Sequence, residues 1–286
     1  MHDPTILFDA HAHILTDDIA AYPPAPISGN LRAGVLDAPM TAARLLDEMN
    51  RHGVQRAALV QRAHVYGYDN SYVVDTAARH PDRFTAICVI DSNAHDADVR
   101  AAEWLDRGAS GIRLTEPGKG ADGTWLHGQM ARRVWETVAQ HGRSISIQLY
   151  TWNRAERLPE IPAIAAEFGS TPVIIEHLSN FIETNELPDH GVDAALDALA
   201  PLANVYLKLT TINLARCVAA NVDARGVMRR IASRFPAGRL LWGSDVGQSQ
   251  QSYAAMTAMA RDAATGLVQA DGDALLFGTA EHLFRQ

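Results

Sequence analysis

The chain has 286 residues, a hydrophobic content of 47%, a charged content of 20% and a formal net charge of −8. These values predict a globular protein with a large core and argue against nucleic acid as a partner, because phosphate binding requires clustered Lys and Arg. No apolar stretch reaches the length of a transmembrane helix, and the N-terminus lacks a signal-peptide pattern, so we expect a cytoplasmic protein with no membrane partner. The two cysteines give no disulfide framework.

Short apolar segments typical of strands recur along the chain and alternate with helical patterns. The predicted strands are 6–11, 56–61, 84–91, 111–115, 144–150, 172–177, 205–210 and 239–245. The predicted helices are 41–53, 70–81, 96–108, 128–142, 194–203 and 224–236. In the first of these, Thr41 is a start signal and Gly53 a stop signal.

Strands that alternate with helices indicate a parallel sheet. Eight such units in a chain of 286 residues predict a single (β/α)8 barrel of the TIM type, one domain spanning residues 1–286. A doubly wound open sheet is the alternative, but it usually has a glycine-rich turn after the first strand, and residues 11–18 contain no glycine. The Pro- and Gly-rich segment 22–39 is expected to be a long loop that forms part of a pocket lid.

Candidate site residues stand at the carboxyl ends of the predicted strands, where a barrel gathers its site. His11 and His13 end the first strand, His177 the sixth and Asp245 the eighth. Since alternate residues of a regular strand share a face, Asp9 is expected to point the same way as both histidines of the first strand. Three imidazoles and a carboxylate can bind one zinc ion with an open position for water. They can equally hold a water without metal, and the residues alone leave this open.

These motifs in this order resemble the amidohydrolase superfamily: His-x-His after the first strand, a lone His after a middle strand, and WGSD at 242–245. The segments LVQRAHVYGYDNSYVVDTAARHPDRFTAICVID, GIRL and FGTAEHLF are similar to its lactonase branch, the hydrolases of pyrone-dicarboxylate, sulfomuconolactone and sugar lactones. The resemblance runs over nearly the whole chain. It implies a hydrolase that opens a small lactone by attack of water on the ring carbonyl.

The resemblance also implies roles for the four site residues. Asp245 would take the proton from water, while His11, His13 and His177 hold either a zinc ion or the developing oxyanion. All four are candidate ligands of one divalent metal ion, with zinc the first expectation, and a metal-free mechanism stays open. Binuclear relatives carry a lysine at the end of the fourth strand. Here Lys119 lies in the loop that follows, so a two-metal site is not expected.

Two other functions stay open at this point. One is metal-dependent decarboxylation of an aromatic or muconate-type acid, by enzymes that resemble this pattern but add a second His after the middle-strand one. Between His177 and Asp245 the only His is His190, in the approach to a helix, which departs from that pattern. The other is a non-catalytic binding barrel that has kept the site residues.

The substrate is expected to be a small anion. Arg113 is the only charge within the strand GIRLT, and its planar fork suits a substrate carboxylate, with a structural ion pair as the alternative. Arg62, Tyr150 and Trp152 are weaker candidates for substrate contact, with loop packing as the alternative. The oligomeric state stays open, and a homo-oligomer is compatible with the sequence.

Glu176 directly precedes His177 in the predicted sixth strand. Because neighbouring side chains of a strand alternate, Glu176 is expected to face away from His177. It would then either support the site from behind or lie on the outer face of the barrel.

Overall fold

The computed structural model describes residues 6–285, in which eight parallel strands form a barrel. The strands are β1 (Leu7–Ala12), β2 (Val54–Val60), β3 (Phe84–Val89), β4 (Gly111–Thr115), β5 (Ser144–Gln148), β6 (Val173–Ile175), β7 (Val205–Thr210) and β8 (Leu240–Gly243). They pair in chain order. The barrel closes where the N–H of Asp245 donates to the carbonyl of His11 at 2.7 Å and the N–H of His13 donates to that of Val246 at 2.9 Å. The predicted (β/α)8 barrel is confirmed, and the open sheet is excluded.

Helices follow the strands. The α-helices are α1 (Ala42–His52), α2 (Ala63–Tyr66), α3 (Ser71–Arg79), α4 (Ala97–Asp106), α5 (Thr124–His127), α6 (Gln129–Gln140), α7 (Arg154–Arg157), α8 (Ile161–Glu167), α9 (Ala194–Asp197), α10 (Thr211–Ala219), α11 (Ala224–Ala232), α12 (Tyr253–Ala264), α13 (Gln269–Asp273) and α14 (Thr279–Phe284). Within residues 6–285, none of the helices combines the length and the apolar character needed to cross a membrane.

Local signals set the ends of several helices. Thr41 caps α1 by accepting a hydrogen bond from the N–H of Arg44 at 3.2 Å, and Gly53 ends the helix with a left-handed φ of 71°. Both ends are those that the sequence predicts. The prediction for 194–203 is wrong beyond Asp197, where α9 ends. Pro201 has no N–H and disfavours a helical backbone at the residue before it, so the helical pattern does not continue.

Several strands leave the ladder earlier than predicted. The strands end at Val89 in β3, Gln148 in β5, Ile175 in β6 and Gly243 in β8. Beyond β6 and β8 the chain turns at once, and both His177 and Asp245 have left-handed backbones with φ of 52° and 58°. The predicted strand ends at 177 and 245 are therefore wrong because these two residues belong to turns that aim them at one site.

A β-bulge interrupts β1 between Asp9 and Ala12, at the start of the His-x-His pair. Asp9 pairs with Ala57 and Ala12 pairs with Leu59, so β1 spans three steps where β2 spans two. One extra residue in a strand sends the side chains that follow to the opposite face.

The bulge separates Asp9 from the two histidines. The Asp9 carboxylate accepts hydrogen bonds from the Ser244 hydroxyl at 2.6 Å and from the Tyr253 hydroxyl of α12 at 3.0 Å, between the barrel wall and that helix. His11 and His13 face the barrel interior instead. The expectation that all three side chains point the same way is wrong, because it required a regular strand.

The lower part of the barrel interior is apolar. Its buried residues are Phe8, Ala10, Ala58, Val60, Ile87, Ile174 and Leu241, together with Ala280 and Phe284 from α14. The rings of Phe8 and Phe284 have centroids 5.9 Å apart, which packs the C-terminal helix against this cluster. A larger apolar cluster lies between the strands and the surrounding helices. Polar interior groups are thereby concentrated at the carboxyl ends of the strands, where the candidate site lies.

Candidate active site

A cavity of about 540 Å³ lies at the carboxyl ends of the strands. Its lining includes most of the predicted site residues, namely His13, Arg62, Arg113, Tyr150, Trp152, His177 and Asp245. His11 is fully buried beside His13 and does not reach the cavity surface. Ile27 and Ser28 also line the cavity, so the loop 22–39 contributes to the wall as the sequence predicts.

His11, His13 and Asp245 form a compact cluster of buried polar atoms. The two Nε2 atoms are 3.2 Å apart, and Asp245 Oδ1 is 3.5 Å from His11 Nε2 and 3.4 Å from His13 Nε2. Ligand atoms at about 2.0–2.1 Å from a tetrahedral zinc ion lie about 3.3–3.4 Å from one another. The cluster therefore has the spacing of three ligands on one metal ion.

A backbone carbonyl fixes the tautomer of His13. Its Nδ1 lies 2.7 Å from the carbonyl oxygen of Val60. A carbonyl can only accept, so Nδ1 carries the hydrogen and the Nε2 of neutral His13 presents a lone pair to Asp245. Buried acceptors that face one another are unfavourable unless a positive charge or a hydrogen-bond donor lies between them. Either a metal ion between the three groups or a hydrogen on His11 Nε2 would supply that charge or that donor.

The chain around His177 is held in an unusual turn. The four residues from His177 to Asn180 have positive φ values of 52°, 48°, 61° and 55°. Left-handed geometry costs roughly 1–2 kcal/mol per non-glycine residue. The turn is held by side-chain amides: Asn213 donates to the carbonyl of His177 at 2.9 Å, and Asn180 donates to the carbonyl of Leu149 at 2.7 Å. Strain of this kind is concentrated at functional sites in proteins.

Close packing of β8 on β1 carries Asp245 into the site. A Cβ on Gly243 would lie 2.4 Å from the Cβ of His11, so only glycine permits this approach. Asp245 follows two residues later and accepts a hydrogen bond from the Ser249 hydroxyl at 2.7 Å. The WGSD motif therefore combines the residue that allows contact with β1 and the carboxylate that this contact positions.

Glu176 faces the barrel interior beside His11. It is 0% exposed, and its Oε2 accepts a hydrogen bond from Arg113 Nε at 2.6 Å. Its Oε1 accepts one from Lys208 Nζ at 3.3 Å and lies 3.5 Å from His11 Nδ1. Of the two positions expected for Glu176, the one that supports the site is found, since Glu176 lies beside His11. The outer-face position is wrong, because β6 ends at Ile175 and strand alternation no longer applies.

The charges of this network favour an ionised Glu176. Burial raises the pKa of its carboxyl, but the nearby cations of Arg113 and Lys208 hold that pKa well below its usual value. Burial lowers the pKa of Lys208, which Glu176 partly offsets. Lys208 Nζ also lies 3.3 Å from His11 Nδ1. Arg113 thus has the ion-pair role that the sequence left open, and its contact with a substrate stays a prediction.

Desolvation favours the neutral forms of His11 and His177. Burial lowers the pKa of His177 to about 4 and holds the pKa of His11 well below its ordinary value. Burial raises the pKa of Asp245, but the imidazoles of His13, His11 and His177 outweigh it and set this pKa at about 2. The site at neutral pH therefore has the ionised carboxylate of Asp245 beside the neutral rings of His11 and His177, which are donors suited to a divalent cation.

Two overlapping residue sets have the spacing for a metal ion within the described part of the chain. One is His11, His13 and Asp245, and the other is His11, Glu176 and His177. The oxygens of Glu176 are already engaged with Arg113 and Lys208, so the first set fits a metal ion better. The arrangement fits one divalent ion and does not distinguish zinc from manganese.

The remaining predicted residues form the cavity wall. Arg62 donates to the side chain of Gln248 at 2.6 Å and to the carbonyl of Gly247, which joins two loops beside Asp245. Tyr150 and Trp152 stack with ring centroids 4.0 Å apart and an interplanar angle of 10°. Trp152 is 47% exposed, so one large planar surface borders the mouth of the cavity. Contact of these residues with a substrate stays a prediction.

Several residues at the site were not predicted to act there. His64, Lys119 and Arg216 add positive or titratable groups to the cavity lining. Lys119 is presented by a loop that Glu116 orders by accepting hydrogen bonds from two of its backbone N–H groups, at 2.8 and 3.0 Å. For Lys208, a signal was available in the sequence: a lysine inside the apolar strand VYLKLT is costly to bury unless it has a partner.

A closed barrel with a histidine- and carboxylate-based metal-type site at the carboxyl ends of its strands defines a class of metal-dependent hydrolases and related enzymes. The family model described as Amidohydrolase matches residues 8–286. The chain therefore belongs to the amidohydrolase family. No curated protein matches it in sequence.

Solved structures share this fold. An amidohydrolase from Burkholderia multivorans with bound zinc has a TM-score of 0.75 and 20% identity, over 98% of this chain and 99% of that one. A probable 2-pyrone-4,6-dicarboxylic acid hydrolase from Acinetobacter baumannii with citric acid bound has a TM-score of 0.74 and 15% identity, over 98% and 99%. A 5-carboxyvanillate decarboxylase from Novosphingobium aromaticivorans with bound manganese has a TM-score of 0.70 and 10% identity, over 99% and 98%. At these identities the likeness shows the fold.

Proposed function

We propose that this protein is a metal-dependent hydrolase that opens a small, carboxylated lactone by attack of water on the ring carbonyl. The observation that carries the proposal is the buried cluster of His11, His13 and Asp245 at the cavity. An ionised carboxylate beside imidazole lone pairs, open to a cavity of about 540 Å³, is suited to hold a water next to a small substrate.

The metal-dependent form of the reaction is favoured by the tautomer of His13. A neutral His13 bonded through Nδ1 to Val60 cannot donate a hydrogen bond to an oxyanion from Nε2. Its lone pair is suited to a cation. His11, His13 and Asp245 would hold the ion, with His177 as the further candidate ligand. Such an ion would polarise the carbonyl and lower the pKa of a bound water from 15.7 to about 7.

The proton balance of the reaction can be met by Asp245. The oxygen of water bonds to the carbonyl carbon, and the proton that it loses passes to the Asp245 carboxylate. The ring C–O bond then breaks, and the same proton passes to the departing ring oxygen. The product is an open-chain hydroxy acid, which loses a further proton to solvent at neutral pH. One group thus serves as base and then as acid.

The proposed substrate is a small anion that the cavity cations would recognise. Arg62, Arg113, Lys119 and Arg216 all line the cavity. These cations offset the overall charge of −8 and would set a local field that attracts a carboxylate. The stacked pair of Tyr150 and Trp152 offers a planar apolar surface for the ring of the substrate.

The test of the reaction is acid release, followed with a pH indicator, across pyrone-dicarboxylate, muconolactones and sugar lactones at neutral pH. The zinc- and manganese-loaded proteins are each assayed. We expect release with one class of lactone. Release of carbon dioxide from an aromatic or muconate-type acid, with no lactone opened, would replace this proposal by decarboxylation. Tight binding of a lactone acid without turnover would replace it by a binding function.

The test of the metal site is metal content by elemental analysis, which does not depend on knowing the substrate. We expect about one equivalent of divalent metal in the purified protein, and its loss in His13→Gln. His80→Gln is the control, because His80 lies at the end of α3, outside the two metal-type sets. A wild-type protein that takes up no metal, yet opens a lactone, would leave hydrolysis standing and overturn the metal assignment.

A further inference from the structure

The side chain of Asn213 links the site to a buried carboxylate. Asn213 lies in the first turn of α10 and is 1% exposed. Its Nδ2 donates to the carbonyl of His177 at 2.9 Å and to Oε1 of Glu183 at 2.7 Å. Its Oδ1 accepts from the backbone N–H of Thr210 at 3.2 Å. Both amide hydrogens and the amide oxygen are therefore engaged.

The partners of Asn213 allow only one orientation of its amide. The backbone N–H of Thr210 can only donate, and the carbonyl of His177 can only accept. A flipped amide would place hydrogens against the N–H and oxygen against the carbonyl. The amide oxygen thus faces Thr210 whatever the protonation of Glu183.

This orientation sets the direction of the Thr210 hydroxyl. Thr210 Oγ1 lies 3.3 Å from Asn213 Oδ1 and 2.8 Å from His177 Nδ1. A hydroxyl has one hydrogen to donate. If it donates to Asn213 Oδ1, which can only accept, it must accept from the ring, and His177 Nδ1 then carries a hydrogen. Both contacts become hydrogen bonds in this arrangement. In the reverse arrangement the two oxygens face each other with no hydrogen between them.

We infer that Asn213 and Thr210 are positioning residues that fix His177 as its Nδ1-protonated tautomer, with a bare Nε2. In this series of hydrogen bonds, His177 Nδ1–H donates to the Thr210 hydroxyl, and that hydroxyl donates to Asn213 Oδ1. Together with the bond from His13 to Val60, it makes both histidines acceptors at Nε2. His177 is thereby prepared to bind a cation and is prevented from acting as a neutral hydrogen-bond donor at Nε2. The inference holds for any substrate of the site.

The same amide holds the backbone of His177. The carbonyl that accepts from Asn213 belongs to the first residue of the left-handed turn. One side chain therefore controls the position of His177 through its main chain and the tautomer of its ring through Thr210. This double control requires a planar group with two donors and one acceptor, which asparagine supplies.

The test is nitrogen-15 NMR of the protein with labelled histidine, before and after treatment with a chelator. The His177 signals are assigned by their loss in His177→Gln. In wild type we expect the chemical-shift pattern of an Nδ1-protonated, neutral ring. In Thr210→Val the ring loses its acceptor, and the Nε2-protonated fraction should rise about fivefold, equivalent to ~1 kcal/mol.

Two substitutions separate this effect from simple repacking. Thr210→Ser keeps the hydroxyl and should keep the wild-type tautomer. Thr211→Val removes a neighbouring buried hydroxyl that has no hydrogen-bond partner among the described residues, and should leave the His177 signals unchanged. An Nε2-protonated ring in wild type overturns the inference, even if Thr210→Val fails to fold. So does a Thr210→Val spectrum identical to wild type. Neither result bears on whether the protein opens lactones.

Discussion

Asp9 and His11 lie two residues apart on β1 but face opposite sides of the barrel wall. The bulge between Asp9 and Ala12 sends His11 inward, while the Asp9 carboxylate stays outside. There it accepts hydrogen bonds from the backbone N–H groups of His11 and Ser244 and from the hydroxyls of Ser244 and Tyr253. One carboxylate thus ties β1 to β8, the two strands that carry the His-x-His pair and Asp245.

The hydrogen bonds that Asp9 accepts from Ser244 and Tyr253, called here the carboxylate clamp, predict a graded loss of stability. Asp9→Asn places an NH2 group where the carboxylate accepted, so buried donors lose their partner, and we expect a loss of about 2–3 kcal/mol in the free energy of unfolding. Tyr253→Phe removes one bond and should cost about 1 kcal/mol. Urea unfolding at neutral pH measures both. Equal costs for the two substitutions would contradict a carboxylate clamp with several donors.

The buried pair of Arg113 and Glu176 predicts a second stability effect. Arg113→Met leaves Glu176 buried with Lys208 as its remaining cation, so we expect a loss of about 3 kcal/mol in unfolding free energy. If Arg113 also binds a substrate carboxylate, the Michaelis constant rises as well. Arg62→Met is the control, because Arg62 lines the same cavity but forms no buried ion pair within residues 6–285. This variant should raise the Michaelis constant with a smaller loss of unfolding free energy. An unchanged unfolding midpoint in Arg113→Met would remove the structural role of the ion pair.

The barrel and the convergence of the site residues could be predicted from the sequence, because both follow from regular features. Strands and helices alternate, and the carboxyl ends of barrel strands meet. The directions of the Asp9 and Glu176 side chains were predicted wrongly, because such predictions depend on strict strand alternation. A bulge breaks the alternation after Asp9, and a left-handed turn replaces the strand after Glu176. The sequence contains no Gly or Pro at either irregularity: residues 9–12 are DAHA and residues 177–180 are HLSN. Tertiary hydrogen bonds, such as that from Asn213, hold these irregular backbones, and a single sequence does not display them.

The low pKa of His177 predicts a loss of stability in acid. Its pKa is about 4 in the folded protein and about 6.5 in the unfolded chain, so between these values the unfolded chain binds a proton that the folded protein does not. Stability should therefore fall as the pH drops from about 6.5 to about 4, by about 3 kcal/mol from this residue. The measurement is urea unfolding of chelator-treated protein across this range. His177→Gln should flatten the dependence, whereas His95→Gln, at a side chain that is 96% exposed, should not. A curve equally steep in His177→Gln would refute this origin.

The carboxylate of Asp245 predicts a loss of turnover without loss of fold. Asp245→Asn keeps the shape but cannot accept a proton, and we expect kcat to fall by about 10²–10⁴-fold once a substrate is known. Circular dichroism checks the fold, and elemental analysis reports whether the variant still holds metal. Asp17→Asn, at an exposed aspartate outside the cavity lining, should retain full activity. Near-wild-type turnover in Asp245→Asn would remove this residue from proton transfer.

The contact of Gly243 with His11 predicts that a single methyl group disturbs the site. In Gly243→Ala the new Cβ would lie 2.4 Å from His11 Cβ and 2.7 Å from its backbone nitrogen, so β8 and β1 must separate. Overpacking of this kind costs about 1–3 kcal/mol, and the same displacement moves Asp245 away from the two histidines. We therefore expect lower unfolding free energy together with weaker metal binding, measured by urea unfolding and by metal titration. Gly238→Ala is the matched control, because it lies just before the same strand and its Cβ would meet no atom within 4 Å. A Gly243→Ala protein as stable and as tight for metal as Gly238→Ala would show that the contact between the two strands does not position the site.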